Sequence, residues 1–507
     1  MNPRAHRFRP VPMAAGLAVA GMLLAVGPPG ELGTPAWRTL AIAALMATWW
    51  VSEALPVAAT ALVPLVAFPL LGIAPVDAAA RPYANPLIYL FLGGFMLALA
   101  VERWGLHRRI ALHVLRLAGG RPDHLVGGFM LATGVISMWV SNTATTIMML
   151  PIASSVVPLL AHDADDDEFA LALFLAIAYA ASIGGVGTLI GTPPNAFMAA
   201  FMSETYGIEI GFARWMLVGL PVASVMMLAA WLLLTRWRFR LHRRPVADTD
   251  AVIQAELEAL GPISGSELRV AMVFVCVAGL WVLRPYLAPS LEALTGGRLS
   301  DPVIAIAGAL ALFMIPCGRD APERTALLDW KTAEHVPWGV LLLFGGGLSL
   351  ASAIAETGLA VWLAHSLTGL AALPVLVIVM VTAALILMLT EISSNTATTA
   401  AFLPVIAALA VSIGQHPLLL VIPSALAASC AFMLPVATPP NAIVFSSGRV
   451  TIPQMARAGV WLNLLALVVV TALTYSLALS VFGIDLGEVP PWADGARSLP
   501  PAVSASY

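Results

Sequence analysis

The hexapeptide Ser-Asn-Thr-Ala-Thr-Thr occurs twice in the chain, at residues 141–146 and again at residues 394–399. Each copy interrupts a long apolar stretch. Each is followed further along by the tetrapeptide Thr-Pro-Pro-Asn, at residues 192–195 and 438–441. These four polar segments decide how the rest of the sequence is interpreted, because they are the places where an otherwise apolar chain departs from its pattern.

The surrounding composition is that of a membrane protein. Hydrophobic residues make up 60% of the chain and charged residues only 10%, whereas soluble domains carry about 25% charged residues. Apolar runs of about 20 residues recur along the chain, which is the pattern of transmembrane helices. The three cysteines, Cys276, Cys317 and Cys430, have no metal-type spacing, and we expect them to be buried hydrophobic residues.

The apolar runs predict an all-α polytopic membrane protein with about eleven transmembrane helices and two re-entrant hairpins. The first helix is expected to be retained, because no A-x-A-like cleavage site follows it. The predicted crossings are residues 11–27, 36–54, 56–73, 86–104, 169–202, 212–235, 268–288, 302–317, 336–356, 418–446 and 455–482. The hairpins cover residues 124–160 and 372–413, each with a hexapeptide at its tip. The fifth and tenth crossings contain the Thr-Pro-Pro-Asn segments and should break there.

The two halves of the chain repeat one another. Gly346, Gly358, Ser394 and Pro404 each lie 253 residues after Gly93, Gly105, Ser141 and Pro151. The second Thr-Pro-Pro-Asn lies 246 residues after the first. Five crossings separate the hexapeptides, and five is odd, so the second hairpin must enter the membrane from the opposite face. The repeat is therefore inverted, the plan by which secondary transporters place a binding site between broken helices.

The distribution of arginine predicts the orientation. Basic clusters fall on one face of the eleven-helix topology, which places the N-terminus in the cytoplasm and the C-terminus outside a plasma (inner) membrane. The expected segments are N-terminal scaffold helices (1–85), a first repeat half (86–245), a cytoplasmic linker (246–267), a second, inverted half (268–484) and a disordered tail (485–507).

The four polar segments predict one binding site. Paired prolines remove two N–H donors and hold the preceding residue extended, so a helix must break there. Each break exposes carbonyls at one helix end and N–H groups at the next. The N–H ends suit a carboxylate or similar anion, and the carbonyls and hydroxyls suit a small cation such as sodium. Neither motif contains Lys, Arg or His, so a bound dianion would need helix dipoles and co-bound cations.

Simpler explanations exist for these residues. Ser, Thr and Asn also bind membrane helices to one another, and proline also kinks helices. A single motif would favour that interpretation, but two motifs of each kind in register favour a site. Glu391 stays open, because an intramembrane carboxylate is a functional candidate and can equally be a structural hydrogen-bond partner.

With these motifs in hand, the chain resembles the divalent anion/sodium symporter family, which includes sodium-coupled dicarboxylate, citrate and sulfate carriers. The resemblance lies in residues 137–146 and 390–399 and in the two Thr-Pro-Pro-Asn segments. It implies a homodimer in which a transport domain moves against a fixed scaffold as an elevator.

The resemblance also implies the site residues. At least two Na⁺ sites are expected, one formed by Ser137, Ser141, Asn142 and Gly191, the other by Thr390, Ser394, Asn395 and Ala437. The substrate would contact Asn142, Thr143, Asn395, Thr396, Thr192, Thr438 and Pro439. The implied function is sodium-coupled import of C4-dicarboxylates such as succinate, malate and fumarate. The alternatives are a sodium-independent dicarboxylate exchanger and a sulfate or citrate carrier. No enzyme motif is present, and no nucleic-acid partner is expected.

Overall fold

The computed structural model describes residues 9–484 except 31, 120, 158–165, 240, 242–248, 319–324 and 367–372. Within that part the chain is helical, and its one β contact is an isolated bridge between Pro316 and Ala326. The predicted tail, 485–507, lies outside the described residues, as do Asp163 and Asp165 of the acidic run at residues 163–168.

Twelve helices precede the linker between the halves. They are α1 (Pro10–Val26), α2 (Thr34–Ser52), α3 (Val57–Thr60), α4 (Val63–Leu70), α5 (Val76–Ala80), α6 (Pro86–Arg103), α7 (Leu106–Ala118), α8 (Pro122–Ser137), α9 (Asn142–Val156), α10 (Asp166–Gly185), α11 (Pro193–Tyr206) and α12 (Phe212–Leu232). A 3₁₀ turn, Arg81–Ala84, precedes α6, and a π-helical turn, Leu233–Arg238, extends α12.

Eleven helices follow. They are α13 (Thr249–Leu260), α14 (Gly265–Thr295), α15 (Asp301–Met314), α16 (Trp330–Ala333), α17 (Trp338–Glu356), α18 (Leu359–Ser366), α19 (Val375–Thr390), α20 (Asn395–Ser412), α21 (Leu418–Ala428), α22 (Pro439–Ser446) and α23 (Ile452–Phe482).

The predicted membrane fold is confirmed. Each of the eleven expected crossings corresponds to a helix or a pair of helices, and each predicted hairpin is a pair, α8–α9 and α19–α20. Seven helices among the described residues are long and apolar enough to cross a membrane, judged by length and composition. Two of the seven, α10 and α20, are one part of the divided fifth crossing and one part of the second hairpin. Other crossings are shorter, as at α1 and α15, or are divided, as at α21–α22. The divided helices carry the Thr-Pro-Pro-Asn segments, as expected.

The structure adds elements that the hydropathy pattern did not predict. The third crossing is divided into α3 and α4. The basic stretch after α6 contains the amphipathic helix α7, which packs against α8 and α13. Its counterpart after α17 is α18. These helices were missed because short or amphipathic segments do not produce an apolar run of membrane-spanning length.

Burial divides the helices into an interior and a periphery. Nearly all of α10 is buried, whereas α14 is mostly exposed on its apolar surface, as expected for a helix that faces lipid. The expectation that all three cysteines are buried was wrong for Cys276, which is exposed on α14, while Cys317 and Cys430 are buried. A thiol is small and apolar enough to face lipid as well as protein, so sequence alone does not distinguish the two surroundings.

Candidate functional site

Both halves of the chain line one pocket of about 780 Å³, within the range of about 300–1,000 Å³ usual for small-molecule sites. Asn142 and Asn395, from the two hexapeptides, both reach it. The other predicted site residues in its lining are Ser141, Thr143, Gly191, Thr192, Ser394, Thr396, Ala437, Thr438 and Pro439. The structure therefore brings the four polar segments together from positions up to 300 residues apart.

Four helix N-termini meet at this pocket. Helices α9 and α20 begin at Asn142 and Asn395, directly after the cap residues Ser141 and Ser394. Helices α11 and α22 begin at the first proline of each Thr-Pro-Pro-Asn segment. The N-terminus of a helix carries unpaired N–H groups and a partial positive charge. The pocket is therefore electropositive in its backbone although its lining includes no Lys or Arg among the described residues.

Behind the first tip lies a group of oxygens that we call the first oxygen cluster: Ser137 Oγ, Asn142 Oδ1 and the carbonyls of Ala181 and Gly191. Ser137 is buried, and its Oγ lies 2.6 Å from Asn142 Oδ1 and 2.7 Å from the Ala181 oxygen. The end of the Asn142 amide also lies 3.2 Å from the Ala181 carbonyl oxygen and 3.3 Å from that of Gly191. A single hydroxyl hydrogen cannot satisfy so many acceptors.

Two arrangements relieve this crowding. The Asn142 amide can turn so that its nitrogen donates to the carbonyls, or its oxygen can stay and share a cation with them. The set of ligands is neutral oxygen throughout, which suits a small monovalent cation. Within the described part of the chain, no group of three or more His, Cys, Asp or Glu residues is placed to hold a metal ion.

The second oxygen cluster repeats the first. Thr390 is buried, and its Oγ1 lies 2.6 Å from Asn395 Oδ1 and 2.8 Å from the Ala428 oxygen. Thr390 and Asn395 lie 253 residues after Ser137 and Asn142. The same hydroxyl–amide–carbonyl pattern, built twice from equivalent positions, supports a pair of related cation sites. Neither Ser137 nor Thr390 lines the pocket itself, and both stand one layer behind it.

The last residue of each Thr-Pro-Pro-Asn segment holds its break in shape. Asn195 Nδ2 donates to the carbonyls of Val186 and Thr188 at 3.1 and 2.8 Å. Asn441 Nδ2 donates to those of Ala431 and Leu434 at 3.1 and 3.0 Å.

Both asparagine side chains are fully buried, and each one replaces hydrogen bonds that the interrupted helix lacks. The motif drew attention to these residues, but the sequence-based site did not include them, since an internal clamp is recognised only once the loop is seen.

The first break needs a glycine beside the oxygen cluster. A Cβ on Gly185 would lie 2.8 Å from Asn142 Oδ1 and 2.8 Å from the Gly191 carbonyl oxygen. Only a residue without a side chain lets these oxygens approach so closely. The two breaks also meet, because Thr192 Oγ1 of the first half lies 3.4 Å from Ser429 Oγ of the second.

The far end of the pocket has different chemistry. It is lined by Glu53, Glu102 and His335, which lie at the end of α2, near the end of α6 and just before α17. The topology predicted from arginine distribution assigns these helix ends to the cytoplasmic face. Glu53 is the one non-glycine residue with a positive φ (47°) among the described residues. All three residues are exposed, so we call this part of the lining the mouth of the pocket.

Glu391 lies outside the pocket lining and is buried. Its carboxylate accepts hydrogen bonds from the backbone N–H groups of residues 432–434, at 2.8–3.2 Å, and from Asn463 Nδ2 at 2.6 Å. Of the two roles left open by the sequence, the contacts are those of a structural partner of the second break.

The chain resembles known proteins over most of its length. A family model described as "Sodium:sulfate symporter transmembrane region" matches residues 9–482. The chain is 42% identical over 471 residues to the "Sodium-dependent dicarboxylate transporter SdcS" of Staphylococcus aureus strain USA300, covering 91% of this chain and 90% of the relative. The protein of the same name from strain MRSA252 gives the same identity and coverage.

Two solved structures share the fold. The YdaH transporter of Alcanivorax borkumensis aligns with a TM-score of 0.54 at 16% identity, covering 80% of this chain and 87% of its own. MtrF of Neisseria gonorrhoeae, described as illuminating a class of antimetabolite efflux pumps, aligns with a TM-score of 0.56 at 12% identity, covering 96% of this chain and 97% of its own. At these identities the likeness concerns the fold alone.

Proposed function

Because the chain belongs to the sodium:sulfate symporter transmembrane family, and is therefore a membrane transporter and not an enzyme, we propose that it imports C4-dicarboxylates together with sodium. Succinate, malate and fumarate are the proposed substrates. The observation that carries the proposal is a pocket with two matched Asn-Thr tips, an oxygen cluster behind each tip and no Lys or Arg in its described lining. The relative named as a sodium-dependent dicarboxylate transporter supports the choice of both ions.

The two tips suit a molecule with an anionic group at each end. Asn142 and Thr143 would bind one carboxylate, and Asn395 and Thr396 the other. Thr192, Thr438 and Pro439 would complete the wall between them. Side-chain N–H and O–H groups and the starts of four helices would donate to the carboxylate oxygens. A monocarboxylate would leave one tip without an anion, which predicts weak binding.

Sodium would supply the positive charge that the side chains lack. Ser137, Ser141, Asn142 and Gly191 are proposed to hold one ion, and Thr390, Ser394, Asn395 and Ala437 another. Each asparagine would then serve both the cation behind it and the anion before it. Such sharing makes cation binding favour anion binding, and by linkage the reverse.

An elevator movement is proposed for the transport step. The hairpins and broken helices would travel together past the scaffold helices of a homodimer, with the N-terminus in the cytoplasm and the C-terminus outside. The matched geometry of the halves supports this, since a site built between inverted repeats can face either side of the membrane through a rigid-body shift.

Uptake into proteoliposomes tests the proposal. Radiolabelled succinate should accumulate when a sodium gradient is imposed inward, and unlabelled malate and fumarate should compete while a monocarboxylate should not. Equal uptake in sodium and in choline would refute sodium coupling. If labelled succinate entered without sodium in exchange for succinate inside the vesicles, the protein would be an exchanger. If sulfate or citrate competed with labelled succinate and the C4-dicarboxylates did not, sulfate or citrate would be the substrate.

A further inference from the structure

The two breaks are built alike and each is held by an asparagine, but their other hydrogen bonds differ. Their equivalence is seen in the packing of the next helix: Gly219 of α12 lies against Val186, and Gly459 of α23 lies against the equivalent Phe432. A Cβ on Gly219 would lie 2.7 Å from the Val186 oxygen, and one on Gly459 would lie 2.7 Å from Met433 Cα. The hairpins are offset by 253 residues, so Glu391 corresponds to Met138. Helices α12 and α23 are offset by 240 residues, so Asn463 corresponds to Ala223.

In the first half, two side-chain donors connect the break to the neighbouring helix and to the hairpin. Trp215 Nε1 donates to the Val186 oxygen at 3.1 Å. Thr188 Oγ1, within the break, donates to the Met138 oxygen at 2.5 Å. The residues equivalent to Trp215 and Thr188 are Met455 and Leu434, which cannot donate in this way.

In the second half, an acceptor holds the N–H groups of the break. Glu391 Oε1 accepts from Phe432 N at 2.8 Å and Met433 N at 3.0 Å, and Oε2 accepts from Leu434 N at 3.1 Å. Asn463 Nδ2 from α23 binds Oε1 at 2.6 Å. One carboxylate at the end of α19 therefore joins the hairpin, the break and α23.

This connection leads directly to the pocket wall. The Leu434 N–H is held by Glu391, and the Leu434 carbonyl accepts from Ala437 N at 3.2 Å and from Asn441 Nδ2 at 3.0 Å. Ala437 lines the pocket, and Asn441 lies in the first turn of α22. A shift of the Leu434 backbone, whose N–H and carbonyl make these bonds, would therefore move both.

We propose that Glu391 and Asn463 are positioning residues that fix the second break, and through it the wall beside the second oxygen cluster, before any ligand binds. The proposal deepens the proposed function and rests on it for the sodium readout. The carboxylate acts through the Leu434 peptide and does not touch the transported ions. The first half, which has Met138 and Ala223 at these positions, depends on its own donors and is unaffected by changes at Glu391.

Hydrogen–deuterium exchange followed by mass spectrometry tests this on the purified full chain, without sodium or dicarboxylate. Glu391→Gln should raise the exchange rate of the peptide covering residues 430–438 about tenfold, because glutamine keeps only one acceptor oxygen and places an NH₂ donor against backbone N–H groups that had bound the other carboxylate oxygen. The peptide covering residues 184–192 should exchange as in the wild type. Glu356→Gln, the same change at an exposed helix end, is the matched control and should alter neither peptide.

If Glu391→Gln does not fold, Asn463→Ala provides the same test. Asn463→Ala removes one hydrogen bond to the Glu391 carboxylate and leaves the carboxylate in place. It should raise exchange at residues 430–438 several-fold. Wild-type exchange there in every folded variant, or equal acceleration of both peptides, would overturn the proposal.

Transport supplies the second readout. In folded Glu391→Gln, half-maximal uptake should need about tenfold more sodium, the lower end of the 10–100-fold losses seen when residues supporting a metal site are changed. Asn463→Ala should show a smaller shift in the same direction. A normal sodium requirement together with faster exchange would overturn the link to the cation site. Absence of sodium-driven succinate uptake in the wild type would refute the proposed function alone, since the exchange result does not depend on it.

Discussion

The hydroxyl of Thr390 offers a direct test of the second oxygen cluster. Thr390 is fully buried, and its Oγ1 lies 2.6 Å from Asn395 Oδ1 and 2.8 Å from the Ala428 oxygen. Thr390→Val keeps the shape of the side chain and removes only the oxygen. The substitution therefore removes one proposed cation ligand and the group that orients the Asn395 amide.

The size of the effect follows from the contacts. A hydrogen bond of this kind contributes about 0.5–1.5 kcal/mol net, and the loss of one oxygen ligand acts in the same direction. A total of about 1.4 kcal/mol corresponds to a tenfold change in affinity. We expect Thr390→Val to raise the sodium concentration for half-maximal succinate uptake about tenfold, with a smaller effect on uptake at saturating sodium.

A matched substitution uses the repeat. The first half has Ser137 at the equivalent position, so Thr390→Ser keeps the hydroxyl and should stay within about twofold of the wild type. Sodium-activation curves in proteoliposomes, recorded at fixed succinate, measure both variants. If Thr390→Val and Thr390→Ser gave the same curve as the wild type, the hydroxyl would have no part in cation binding and the assignment of the second cluster would be wrong.

Two further predictions concern the tips and the link between the halves. Asn142→Ala and Asn395→Ala should each abolish succinate uptake while the purified proteins keep their monomer or oligomer elution volume and helical content; wild-type uptake in both would place the site elsewhere. Arg109→Ala should lower the free energy of unfolding by about 3 kcal/mol, because Arg109 forms a largely buried, bidentate pair with Glu267 at 3.0 and 3.1 Å. Arg108→Ala, which breaks a more exposed pair, should cost at most about 1 kcal/mol in the same thermal or denaturant assay, and equal losses would contradict this distinction.

The absence of Lys and Arg from the described pocket lining predicts how the affinity for the anion depends on sodium. A site with fixed positive side chains could bind an anion without help. Here the anion is expected to depend on helix N-termini and on sodium, so affinity for the dicarboxylate should fall when sodium is removed. The two acidic side chains at the mouth, Glu53 and Glu102, add no positive charge to replace it.

Much of the fold could be predicted because its signals are local. A proline has no backbone N–H to donate and is favoured in the first turn of a helix, so Pro193 and Pro439 mark the places where α11 and α22 begin. Ser141 lies at a helix cap for an equally local reason, since its side chain accepts a hydrogen bond from Ala144 N. An apolar run of sufficient length indicates a membrane helix before any contact is known. The division of the third crossing into α3 and α4 was not predicted, because no sequence motif marks the place where the helix is interrupted.

The sequence alone therefore determined the membrane class, the two related halves, the places where helices break and the polar segments that contribute eleven residues to the pocket lining. Only the tertiary structure decided what those residues contact. It placed Ser137 and Thr390 behind the pocket, made Asn195 and Asn441 the clamps of the breaks, and gave Glu391 the N–H groups of residues 432–434. The physical reason is that a buried polar group needs a hydrogen-bond partner, and the packing of the chain decides which group that is. The partners of Glu391 lie 41–43 residues away along the chain, so no local sequence pattern indicates them.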